Sequence, residues 1–142
     1  RARGHRGPYT GFDISRDMAD AAVRRGQQLR DCRWTADRGQ VQAADYAVAS
    51  GIFNVKQATS DEQWKAYVLD TIEDLSRISR RGFAFNALSL YSDPEKRRAD
   101  LFYADPLALF DHCARRISRF VSLLHDTPLY EFTILVRLQR AV

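Results

Sequence analysis

Apolar positions along this chain follow two periods that take turns. The run Tyr9-Thr-Gly-Phe-Asp-Ile14 lies between Gly7-Pro8 and Ser15, and its aromatic and β-branched content predicts a buried strand. From Ser15 the period becomes helical. Met18, Ala21, Ala22 and Leu29 fit one face, with Ser15 as N-cap, Asp17 in the first turn and Gly26 as a candidate end. Cys32-Arg-Trp-Thr35 predicts a second short strand, closed by an Asp37-Arg-Gly39 turn. A third strand, Asp45-Tyr-Ala-Val-Ala-Ser50, ends at Gly51. Ser60-Asp-Glu-Gln63 then has the form of a capping box. Behind it Trp64, Val68, Ile72, Leu75 and Ile78 predict a helix that runs to Arg81-Gly82. Gly82-Phe-Ala-Phe-Asn-Ala-Leu-Ser89 predicts a fourth strand.

Strands that alternate with helices argue for parallel βαβ units. The last third of the chain departs from that rule. Tyr91 to Tyr103 is polar and irregular, with Ser92-Asp-Pro94 as a turn signal. Asp105-Pro106 places an N-cap before a proline at the first helical position, and Leu107, Phe110, Ala114 and Ile117 predict that helix's core face. Two strands follow, Arg119 to Leu124 and Tyr130 to Arg137, joined through His125-Asp-Thr-Pro128. So short a connection cannot hold a parallel crossover, so it predicts an antiparallel hairpin. The expected class is α/β, a mostly parallel sheet that finishes in an antiparallel hairpin.

Composition narrows the picture without deciding it. At 142 residues, with 45% hydrophobic and 28% charged content, the chain has the size and balance of one globular domain with its own core. No apolar run approaches the roughly 20 residues of a membrane span, and no signal-peptide pattern is present, so a cytoplasmic protein is expected. Cys32 and Cys113 then read as reduced thiols. The net charge of +4 would permit an anionic partner. The arginines are interspersed with acids, however, which points to a mixed solvated surface and away from nucleic acid. His5, His112, His125 and the cysteines have no metal-site spacing, and neither a nucleophile elbow nor a Walker loop occurs.

In doubly wound sheets, ligands bind beyond the carboxyl ends of the parallel strands. Asp13 stands at such an end. Its carboxylate can accept both hydroxyl hydrogens of a ribose, or it can brace the start of the next helix. Ser50-Gly-Ile-Phe-Asn54 closes the third strand. There Gly51 permits close backbone approach, Phe53 can face a cofactor or the core, and Asn54 offers a donor and an acceptor.

These segments carry a resemblance. Tyr9-Thr-Gly-Phe-Asp-Ile-Ser-Arg-Asp-Met18 resembles the second-strand motif of class I, Rossmann-like S-adenosylmethionine-dependent methyltransferases, in which the acid holds the cofactor ribose. Asp45 to Asn54 is similar to their fourth-strand motif, and Tyr130 to Arg137 to their last, antiparallel strand. The motif order holds over nearly the whole chain. The resemblance implies S-adenosyl-L-methionine as cofactor and a three-layer Rossmann-like sandwich. It implies that Asp13 and Ile14 lie at the ribose and Thr35 to Asp37 near the adenine. Gly51, Ile52, Phe53 and Asn54 would lie beside the cofactor.

The resemblance also implies a first strand and glycine-rich loop ahead of Arg1, with Arg1 to Pro8 as the end of a first helix and its exit loop. No Gly-x-Gly occurs in this sequence. The expected domain is therefore a single methyltransferase-like domain over 1–142, incomplete at its N-terminus, with open strand edges available for self-association. Tyr91, Asp93, His125 and Asp126 fall in the loops on the active-site side. His125 is the general-base candidate, because its unperturbed pKa suits neutral pH. The sequence has no Asn/Asp-Pro-Pro-Tyr/Phe motif of the nucleic-acid amino-methylating enzymes, so the expected reaction is methyl transfer to a small molecule. The alternatives are a non-catalytic interaction module that retains the fold and a nicotinamide-cofactor oxidoreductase, which shares the ribose-binding acid but is disfavoured by the terminal antiparallel hairpin.

Overall fold

Of the apolar run from Tyr9 to Ile14, only Tyr9–Phe12 is paired as a strand, β1, in the computed structural model, which describes residues 7–138. It belongs to the first of two compact units, Arg1–Gln42 and Ala43–Val142. In this unit β1 is followed by α1 (Arg16–Gly26) and β2 (Cys32–Thr35), and the two strands pair in parallel from Tyr9↔Cys32 to Phe12↔Thr35. The hydroxyl of Ser15 accepts the Met18 N–H at 3.4 Å. Asp17 in the first turn and Arg24 and Arg25 in the last complement the helix dipole. The inward face of α1 differs from the one the periodicity predicts: Met18 is exposed and Ala19 is buried. Trp34 packs in this unit over two glycines: a Cβ on Gly26 would lie 2.0 Å from its ring and one on Gly11 2.6 Å.

The second unit contains β3 (Ala44–Ala49), α2 (Asp61–Ile78), β4 (Ser79–Leu88), α3 (Pro106–Arg116), β5 (Val121–Leu124) and β6 (Glu131–Arg137). Its sheet has the order β3-β4-β6-β5. β3 and β4 are parallel, and β6 is antiparallel to both β4 and β5. The hairpin therefore exists as expected, and its second strand folds back between β4 and β5. Among the described residues the pairings form two sheets and divide evenly between parallel and antiparallel, which corrects the single, mostly parallel sheet.

Two boundaries also shift. α2 stops at Ile78, and β4 begins at Ser79 with no loop between them. Ser79 is wholly buried and pairs with Ala44, and the Arg81 carbonyl accepts the Leu138 N–H at 2.8 Å, so sheet pairing claims residues that helical periodicity assigned to the helix. Gly82 is no helix cap. A Cβ there would meet the Val136 carbonyl at 2.6 Å, so its bare Cα lets β6 close against β4. In α3, Asp105 caps as predicted, accepting from Leu107 and Ala108, but the buried positions are Pro106, Leu109 and Cys113 while Leu107 is exposed.

The core lies on one face of this sheet. The strand period of two turns Phe83, Phe85 and Ala87 of β4, and Phe132, Ile134 and Val136 of β6, toward Val68, Ile72 and Leu75 of α2 and Leu109 and Cys113 of α3. Full burial of each large apolar side chain contributes roughly 1.5–3 kcal/mol. Within this unit the described elements form two layers, helices on one face and none on the other.

Candidate cofactor and acceptor site

In the first unit, the paired strands end side by side. The Asp13 N–H donates to the Thr35 carbonyl at 3.2 Å, which keeps the loops after β1 and β2 together. The Asp13 carboxylate is half-buried. Its Oδ1 accepts the Ser15 N–H at 2.8 Å and braces the entry to α1, while Oδ2 takes no hydrogen bond among the described residues. Thr35 and Asp37 build their own turn: the Thr35 hydroxyl accepts the Asp37 N–H, and Asp37 Oδ1 accepts the Gly39 N–H, both at 2.9 Å. Ile14 is 89% exposed, an apolar side chain beside that carboxylate in sequence with nothing over it. Most of the Arg1 to Pro8 segment, His5 included, lies outside the described residues.

In the second unit, the carboxyl ends of β3, β4 and β5 share one edge, because β4 and β5 both run opposite to β6. Gly51 leaves β3 with φ +74°, a left-handed conformation that favours glycine, and no atom lies within 4 Å of where its Cβ would be. The ring of Phe53 is wholly buried, edge-on to Phe85 at 5.7 Å, and its carbonyl accepts the Trp64 indole N–H at 2.8 Å. Phe53 thus anchors the loop in the core.

Asn54 belongs to a closed polar circuit. Its amide donates to Glu131 Oε1 at 2.9 Å, and its side-chain oxygen accepts the Leu88 N–H at 3.1 Å. Asn86 donates to Glu131 Oε2 at 3.0 Å and accepts the Gly51 N–H at 2.7 Å. One carboxylate at the start of β6 therefore holds two amides, and through them both ends of the loop after β3. A half-buried charge is tolerated where both of its oxygens are matched by donors. Asn86 and Glu131 are the residues that sequence reasoning missed. Their partners lie 35 to 77 positions away, so no local spacing announces them. The one available signal was a polar residue in each of two largely apolar strand runs.

The loops that hold Tyr91, Asp93 and His125 meet at the same edge of this unit. The rings of Tyr91 and His125 lie 6.0 Å apart, and His125 packs edge-on to Phe132 at 6.1 Å. His125 is exposed and takes no hydrogen bond among the described residues. Beside it, the Tyr130 hydroxyl donates to Asp93 Oδ2 at 2.5 Å and accepts from Lys96 Nζ at 2.8 Å. The Tyr130 and Lys96 hydrogen bonds hold the Asp93 carboxyl below its ordinary range, and those of Tyr130 and Asp93 hold the Lys96 ammonium above its own. Asp126 is exposed. Among the described residues no three His, Cys, Asp or Glu side chains gather as a metal site, and no helix is long and apolar enough to cross a membrane.

The sequence is similar to that of a known protein. Over 136 residues it is 51% identical to "Putative methyltransferase Rv1506c" of Mycobacterium tuberculosis (strain ATCC 25618 / H37Rv), covering 96% of this chain and 82% of that one. The chain belongs to the same methyltransferase family. No protein-family model matches it. Solved structures agree at the level of fold. A chain of the Pnkp1/Rnl/Hen1 RNA repair complex is similar with a TM-score of 0.62 at 12% identity, covering 96% of this chain and 33% of that one. Magnesium protoporphyrin IX methyltransferase (ChlM) from Synechocystis PCC 6803, solved with bound SAM, is similar with a TM-score of 0.60 at 11% identity, covering 92% and 59%. This chain thus spans less than two thirds of either solved chain. The mixed α/β architecture, with three α-helices and two sheets among the described residues, is that of methyltransferase folds.

Proposed function

We propose that residues 1–142 act as one cytoplasmic methyltransferase domain of Rossmann-like sandwich type, which transfers a methyl group from S-adenosylmethionine to a small-molecule acceptor. The observation that best supports this reading is Asp13, a half-buried carboxylate past the end of a parallel strand with one oxygen braced by Ser15 and the other unpaired among the described residues. When bound, the cofactor would supply an electrophilic methyl on a sulfonium. The protein's own contributions are positioning and removal of the acceptor's proton.

Asp13 Oδ2 would accept the ribose hydroxyls, with Ile14 as apolar cover. Gly51 and Ile52 would present an unobstructed backbone and an exposed aliphatic side chain to the ligand. Phe53 and Asn54 would act by holding that loop through the core and through Glu131. Thr35 to Asp37 would lie by the adenine, and His125 would take the acceptor's proton in the exposed loop beside Tyr91. The edges of β1 and β3, each paired on one side only among the described residues, are the surfaces for self-association.

Calorimetry tests the reading. S-adenosylmethionine is expected to bind, and Asp13→Ala to weaken binding by about 1–3 kcal/mol, the scale of lost charge-assisted hydrogen bonds. Unchanged affinity in the variant removes Asp13 from the site. No binding to the parent chain favours the non-catalytic module, a reading motivated by the lack of any Gly-x-Gly in this sequence.

A further inference from the structure

Two adjacent residues at the start of β6 reach two different loops. Glu131 holds Asn54 and Asn86, and through them the loop after β3. Tyr130 turns instead to the loop after β4. Its carbonyl accepts the Ser89 N–H at 2.7 Å, and its hydroxyl is shared between Asp93 and Lys96. The Lys96 ammonium also pairs with Asp93 Oδ2 at 3.3 Å and lies 5.4 Å from the centre of the Tyr130 ring. The three side chains therefore close on one another, with charge-assisted hydrogen bonds on both sides of the hydroxyl.

The two sides of this closure differ from an ordinary surface ion pair. Asp93 stands at the N-cap of the short helical turn Pro94–Lys96, where an aspartate normally accepts a backbone N–H, yet its carboxylate caps nothing. It is committed to the tyrosine. The loop that carries Asp93 is already fastened from within: the Ser89 hydroxyl accepts the Tyr91 N–H at 3.1 Å, the Ser92 hydroxyl donates to the Ser89 carbonyl at 2.6 Å, and Arg97 donates to the Leu90 and Ser92 carbonyls. The bonds to Tyr130 are thus not needed to build this loop, and what they supply is its placement. On the hairpin side, among the described residues, no side chain from 125 to 129 makes a hydrogen bond, so Tyr130 carries that attachment for the whole turn. Across the joint lies the Tyr91–His125 ring pair, whereas the His125–Phe132 pair lies within the hairpin.

We propose that Tyr130 is a positioning residue, whose hydroxyl, held between Asp93 and Lys96, fixes the loop after β4 against the β5–β6 hairpin and so sets His125 beside Tyr91 for the methyl acceptor. The purpose given to this latch rests on the methyltransferase reading, while its geometry rests on hydrogen bonds within the second unit. Tyr130 and Glu131 then divide the work at the start of β6: one places the loops assigned to the acceptor, and the other places the loop assigned to the cofactor.

The test compares the full chain with Tyr130→Phe and Asp93→Ala, by NMR and by calorimetry with S-adenosylmethionine. Tyr130→Phe keeps the ring and removes only the hydroxyl. Both variants should lose the nuclear Overhauser contact between the rings of Tyr91 and His125 and keep the one between His125 and Phe132. Exchange of the Ser89 amide, which bonds across the joint, should rise about two- to fivefold, the scale of an exposed ion-paired contact. Cofactor affinity should stay within about twofold of the parent, as expected for a separate site. Retention of the Tyr91–His125 contact in both variants overturns the proposal. So does loss of both His125 contacts, which would make Tyr130 a general support of the hairpin. A large loss of cofactor affinity in Tyr130→Phe overturns it as well, by moving the residue to the cofactor side. If the parent chain binds no S-adenosylmethionine while the Tyr91–His125 contact still breaks on mutation, the methyltransferase reading falls and the placement of His125 by Tyr130 stands.

Discussion

The two units reach order by different means. The second buries Phe53, Phe83, Phe85 and Phe132 against two helices, in a core that spans four strands. Among its described residues the first has two four-residue strands and one α-helix, and only Ala19, Gly26 and Thr35 are buried. Its main packing event is one indole, Trp34, laid over two glycines. A two-stranded sheet with so little apolar burial is marginal by itself, so local opening should be much easier in the first unit than in the second.

The largest expected effect attacks the strong side of that contrast. Phe85→Ala should destabilise the second unit by about 3–5 kcal/mol in urea unfolding, through lost transfer energy and a cavity. A loss comparable to that of a surface substitution would mean that this core does not carry the fold. On the weak side, Gly26→Ala drives a methyl into Trp34 and should cost about 1–3 kcal/mol. Hydrogen exchange should place that cost among the amides of α1 and β2, with β4 and β6 unchanged. Equal acceleration in both units would abolish the distinction drawn here.

Two smaller effects sharpen it. Glu131→Gln leaves one amide donor facing another in the Asn54–Asn86 circuit and should cost about 1–2 kcal/mol, read as a lower melting temperature with greater mobility at Gly51. A wild-type melt would show that the circuit is dispensable. Cys113 gives the smallest effect at neutral pH. Burial first, and the nearby Glu73 charge second, push its thiol up to about 12, from an ordinary value of 9.0. The folded value lies above the unfolded one, so the associated stability is complete below pH 9.0 and is lost as pH rises from there toward 12. A thiol reagent near pH 8 should therefore label half-buried Cys32 quickly and Cys113 only on global unfolding. Equal rates for both would sink this assignment.

How much of this was legible beforehand depends on the range of the interaction. The caps at Ser15, Ser60 and Asp105, the strand Cys32–Thr35 and the closing hairpin are where the sequence pattern puts them, because caps, strand periods and short connections are set by neighbours within a few residues. Met18 and Leu107 were assigned to the wrong faces. On a short helix several faces satisfy the same periodicity, and what packs opposite chooses between them. Gly82 was read as a helix stop for the same reason: a glycine's role depends on what approaches it, and here that is a carbonyl of β6.

The candidate site divides in the same way. Asp13 was found because its strand and its place at the strand's end are local properties. Its division of labour, one oxygen on Ser15 and one unpaired, required coordinates. Asn54 was found as a polar residue in a loop, yet its partners on β4 and β6 could not be, since only sheet order brings Asn86 and Glu131 to it. The sequence by itself determined most of the elements and the family, because each is written in short-range pattern. Tertiary structure alone decided that β6 lies between β4 and β5, that Glu131 ties the loop after β3, and that a carbonyl of β6 closes on Gly82. Those are contacts between distant segments, and their energy exists only once the chain has closed.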